Sequence, residues 1–74
     1  MYLFRIEKRK DVLKGRTIRY LANNIIHCSE VHLGNILKGK ITCSYSMAKN
    51  ITGSIYPDGK VENYINNYFI KLEK

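Results

Sequence analysis

Apolar residues return at every third or fourth position through the middle of this chain, and the two clearest such stretches lie back to back between Thr17 and Lys40. Ile18, Leu21, Ala22 and Ile25 fall on one stripe of a helix that can face a core. Thr17 suits the N-cap of that helix, because a hydroxyl there accepts a hydrogen bond from a free N–H of the first turn, and Gly15 offers the break before it. Ser29 repeats the capping role for a second helix with Leu33, Ile36 and Leu37 as its apolar stripe and Gly39 where helices often stop. The pattern predicts a helix, a tight turn and a second helix.

The flanks are less regular. Tyr2 to Glu7 alternate weakly and are rich in strand formers, which predicts a short strand, although Leu3, Ile6 and Leu13 also suit a helix. A lone strand leaves backbone groups unpaired, and the other strand-like segment is Tyr68 to Leu72, so pairing the termini would close the domain. Lys8 to Lys14 reads as a basic turn into a short helix that docks Val12 and Leu13 and leaves Lys10, Lys14 and Arg16 outside. That run is either a solvated face or a phosphate-contacting one. After a link over Lys38 to Thr42, Ser44 caps a third sizeable helix with Met47, Ala48 and Ile51 inward, while Tyr45 fits core or surface. Gly53 to Gly59 carries turn residues, with Pro57, Asp58 and Gly59 suited to successive positions. Val61, Tyr64, Ile65, Tyr68, Phe69 and Leu72 then recur at helical spacing; the expectation is a helix from about Lys60 to about Asn67 and a strand after it. These aromatics are expected to serve a core or a dimer contact rather than base stacking.

With 74 residues, the expectation is one domain, 1–74, with its core motif at 17–40. The fold class is mainly α: a compact helix-turn-helix bundle of four to five short helices, with room for a small two-stranded sheet pairing the N- and C-terminal segments. An apolar content of 45% argues against disorder. No apolar run approaches the ~18 residues of a bilayer span, and Arg5 comes too early for a signal peptide, so the expected setting is the cytoplasm. A chain this short sits near the lower limit for folding alone, which makes a homodimer the expected assembly.

Charge sharpens the picture. Of the net +7, residues 1–40 hold +6, from nine Lys and Arg against Glu7, Asp11 and Glu30. The positive field therefore surrounds the two central helices, as expected of a surface that displaces counterions from phosphates; acidic proteins and anionic membranes would also suit it.

In a DNA-binding helix-turn-helix the second helix enters the major groove and the first crosses the backbone. With Leu33 and Leu37 inward, Glu30, Val31 and Asn35 lie on or near the opposite face, with His32 at its margin. Thr17 to Ala22, ThrXxxXxxXxxLeuAla, and Ser29 to Lys40, SerGluValXxxLeuXxxAsnIleLeuXxxGlyLys, resemble the helix-turn-helix of the Cro and cI repressor superfamily, the XRE family, in its small versions from phages and prophages of low-GC bacteria. The similarity covers roughly Lys10 to Ile51. One departure is the turn, where such proteins usually place a glycine and this chain has Ile25, Ile26, His27 and Cys28, one residue more than the common pattern.

The resemblance implies a sequence-specific transcriptional regulator that occupies a double-stranded operator as a dimer. Glu30, Val31, His32 and Asn35 would meet bases: Asn35 suits adenine, Val31 a thymine methyl and Glu30 a cytosine amino group. Arg16, Thr17, Arg19, Lys38 and Lys40 would hold phosphates. The alternative is a phage-encoded inhibitor that keeps this scaffold and blocks a host protein, for example a CRISPR nuclease, or an antirepressor acting through its Tyr-rich C-terminal segment.

No catalytic residue, cofactor or metal is expected. Cys28 beside His27 is too little for a nucleophile and base, and no glycine loop or carboxylate pair suggests catalysis. His27, Cys28, His32 and Cys43 lack the close pairing of a zinc knuckle; Cys28 is expected as a partly buried turn residue and Cys43 at a helix start.

Overall fold

The computed structural model describes residues 1–56 and 60–72. Its elements run β1 (Tyr2–Phe4), a 3-10 turn (Ile6–Lys8), α1 (Arg9–Leu13), α2 (Ile18–Tyr20) continuing as a π-helical segment (Leu21–Ile26), α3 (Glu30–Leu37), α4 (Tyr45–Gly53), a 3-10 turn (Val61–Asn63), α5 (Ile65–Tyr68) and β2 (Phe69–Lys71). Among the described residues the result is a helix-turn-helix bundle of five short helices closed by a two-stranded sheet.

The termini pair as expected. β1 and β2 are antiparallel, with Tyr2 opposite Lys71, Leu3 opposite Ile70 and Phe4 opposite Phe69. Phe4 and Phe69 are both buried and meet edge to face with centroids 5.3 Å apart. They join Leu21, Leu33, Ile36, Leu37 and Ile51 in one core. Placing a strand here rather than a helix satisfies the backbone on both sides of β1. Tyr2 exchanges two hydrogen bonds with Cys43, at 2.8 and 2.9 Å, while Leu72 N–H donates to the Met1 carbonyl at 2.8 Å.

Several expectations need correcting. The first strand stops at Phe4, short of Glu7, and Ile6, 60% exposed, lies in the 3-10 turn that leads into α1. Cys43 does not start a helix; it is buried and bridges to Tyr2, and α4 begins two residues later behind the Ser44 cap, whose Oγ accepts from Met47 N–H at 3.2 Å. The last helix is not continuous from Lys60: it breaks at Tyr64 between a 3-10 turn and the single turn of α5. Strand pairing then overrides the helical period, so Phe69 turns to the core while Leu72 is left 41% exposed. α4 extends through Gly53, later than the expected turn, and Ser54 Oγ donates to the Ile51 carbonyl at its end. The Pro57, Asp58 and Gly59 positions of that turn lie outside the described residues.

Tyr45 is 42% exposed, with its ring 5.7 Å from that of Tyr2. Thr52, the one polar side chain buried with the core among the described residues, donates from Oγ1 to the Ala48 carbonyl at 2.9 Å. No helix among the described residues is long and apolar enough to cross a membrane.

Candidate nucleic-acid interface

Local sequence positions the two central helices. Thr17 Oγ1 accepts from Tyr20 N–H at 3.0 Å, and Ser29 Oγ accepts from His32 N–H at 3.3 Å, so each hydroxyl satisfies a donor that a helix start leaves free. α3 ends in a double bond pattern, Gly39 N–H to the Ile36 carbonyl and Lys40 N–H to the Asn35 carbonyl, both at 3.0 Å. Gly39 has φ +73°, and a Cβ there would stand 3.0 Å from Ile6 Cγ2. Both the backbone angle and the space call for glycine.

The turn between them accommodates its additional residue by widening. Leu21 to Ile26 wind with π-helical hydrogen bonds, and His27 N–H donates to the Ala22 carbonyl at the end of the segment. Cys28 N–H reaches the same carbonyl at 2.9 Å. His27 adopts φ 62° and ψ 56°, the left-handed conformation that a glycine would otherwise take. Despite this, Ala22 and Ile26 stay buried and Ile25 packs partly against the core.

α3 buries Leu33, Ile36 and Leu37 and turns the rest outward. Glu30, His32 and Lys38 are exposed, and Val31 is 72% exposed. Asn35 is half-buried. Between this helix and the start of α2 runs an open cleft of about 750 Å³. It brings together Arg16, Thr17, Arg19, Glu30, Val31, Asn35 and Lys38 from the expected site. His32 and Lys40 do not line it. Lys40, exposed, follows the Gly39 turn beyond the helix.

The cations differ in what they already hold. Arg16 is not a free surface charge: Nε donates to the Leu13 carbonyl at 3.1 Å and Nη2 to the Val12 carbonyl at 3.2 Å, closing the C-terminus of α1. Arg19 Nε lies 3.5 Å from Glu30 Oε2, in a pair whose side chains are 77% and 44% exposed. The pair stands at the positive end of α3, where a carboxylate is favoured. Thr17 keeps its hydroxyl proton available for donation, because its oxygen only accepts within the cap.

Sequence reasoning missed Arg9. It lines the same cleft beside Leu13 and Ile18, and its buried Nε has no hydrogen-bond partner among the described residues. Its place in a run of Lys and Arg offered no signal to single it out.

Among the described residues, no three His, Cys, Asp or Glu side chains converge as a metal site would require. Burial raises both thiols, Cys43 to about 11, away from the thiolate form that binds metals or attacks. Compared with family models, with characterised proteins and with solved structures, the chain finds no match.

Proposed function

We propose that this chain is a sequence-specific DNA-binding transcriptional regulator of the Cro and cI type, encoded by a phage or prophage, which occupies its operator as a homodimer in the bacterial cytoplasm and carries out no catalysis. The observation that carries the reading is α3 itself: a helix capped at both ends, its outer side left open by the fold, beside a cleft with Arg9, Arg16, Arg19 and Lys38 along it. With its side chains a helix is about 10–12 Å across, which suits a major groove roughly 12 Å wide. In this reading Glu30, Val31, His32 and Asn35 meet base edges. Thr17, Arg19, Lys38 and Lys40 hold phosphates, while Arg16 supports the cleft wall and adds charge.

A gel shift with duplex from the promoter region beside the gene, at two salt concentrations, tests the reading. A selective shift that weakens steeply with salt is expected. Equal binding to that duplex and to random DNA would overturn it.

A second reading draws on Val31, a largely bare aliphatic side chain next to a carboxylate. Such a mixed face also suits a protein surface, and an inhibitor of a host nuclease or an antirepressor would use it. No selective shift, together with a host protein retained by the wild-type chain and lost with Val31→Lys, would favour that reading.

A further inference from the structure

Four cations flank the cleft, and they are not equivalent. Arg16 spends its guanidinium on two carbonyls of α1 and Arg19 faces Glu30, whereas Arg9 Nε is buried with no partner among the described residues. An unpaired buried donor is unfavourable, so a ligand anion that draws this guanidinium into hydrogen bonds gains more than one that meets a fully solvated lysine. Arg9 also lines a second, neighbouring cleft with Glu7 and Lys10, which places it on the ridge between the two.

We infer that Arg9 is the residue that grips a backbone phosphate of the bound duplex, an inference that rests on the DNA-binding reading above. The occupant follows from the lining. Leu13, Ile18 and Val31 give the first cleft an aliphatic component, and Arg9 and Lys38 give it positive charge beyond the Arg19–Glu30 pair, whose carboxylate is the one acidic group on its lining. A sugar-phosphate strand presents the matching alternation of apolar sugar edge and anion. Arg9 turns its guanidinium onto one phosphodiester, for which its planar fork is better suited than an ammonium. Such a contact positions the protein and carries no sequence information.

The test compares wild type, Arg9→Gln and Arg9→Lys on the promoter duplex and on random duplex across a salt series, with melting temperatures taken alongside. Arg9→Gln is expected to lose about tenfold on both duplexes at low salt and to lower the slope of log K against log salt by about 0.9, the value for one phosphate. Arg9→Lys should restore the slope but only part of the affinity, and neither variant should melt earlier. If Arg9→Gln keeps wild-type affinity and slope while the wild type binds selectively, the role of Arg9 is refuted and the DNA reading stands. A loss of affinity with an unchanged slope would also refute it, by assigning Arg9 a purely structural role. Absence of salt-dependent binding by the wild type itself would overturn both.

Discussion

Asn35 and Lys40 sit at the same end of α3, yet the proposed reading gives them different tasks. Asn35 lines the cleft half-buried, and its amide offers the paired donor and acceptor that adenine requires. Lys40 stands outside the cleft, exposed, as a plain charge. Asn35→Ala is therefore expected to relax sequence preference, with a loss of about 1–3 kcal/mol confined to the cognate duplex. Lys40→Ala should weaken all duplexes alike and reduce the salt slope by about one. Titrations on cognate and random DNA read both. Glu30 is the residue that works against the field around it. Glu30→Gln should raise affinity for random DNA and narrow its gap to the cognate site, since the change removes a phosphate-repelling carboxylate and frees Arg19. Unchanged random binding in that variant would mean that the Arg19 pair already neutralises it.

The turn between α2 and α3 carries the main consequence at the level of elements. A non-glycine residue in the left-handed region bears strain of about 1–2 kcal/mol, and His27 is such a residue. Glycine removes that strain but costs about 0.5–1 kcal/mol in chain entropy. His27→Gly should thus stabilise the fold by up to about 1.5 kcal/mol, the difference between these effects, read from denaturant unfolding. A destabilised variant would show that the imidazole makes a contribution beyond the backbone. Three helix starts were legible along the chain because a cap depends on neighbours three residues away: Thr17, Ser29 and Ser44 all act as their positions suggest, whereas α1 and α5 begin without a side-chain cap. The π-helical winding was not, since Ile25 and Ile26 fit a regular helix equally well and the wider turn shows only in the backbone, where the His27 and Cys28 N–H groups both reach the Ala22 carbonyl.

At the scale of the molecule, the domain closes through its ends. Phe69→Ala should cost about 3–5 kcal/mol, against a total of about 4–11 kcal/mol for a chain of this length, so a large drop in the urea midpoint is expected. A small effect would mean that the terminal sheet is an accessory to the bundle. The C-terminal region also ties itself by chemistry: the Tyr56 and Tyr68 hydroxyls lie 3.0 Å apart, and that hydrogen bond, with burial, pushes Tyr68 up to about 12. The folded state favours the protonated phenol, so this contribution is full below the ordinary tyrosine value of 10.0 and fades as pH rises through about 12. Melting temperature should therefore fall more steeply over that window in the wild type than in Tyr56→Phe. Parallel pH profiles would deny the hydroxyl pair any energetic role.

What the sequence determined by itself was what short-range rules govern. The stripe of Leu33, Ile36 and Leu37, the capping hydroxyls, the Gly39 stop and the excess of cations all follow from residue type and spacing. Tertiary structure alone decided which of those cations were free. Arg16 is engaged by carbonyls, Arg19 by Glu30, and Arg9 is left with a buried, unpartnered nitrogen. It likewise made Cys43 a bridge to Tyr2. The physical reason is distance in three dimensions: hydrogen bonds and desolvation depend on which atoms come within a few ångströms, and linear spacing along a chain records that only within a helical turn or a strand.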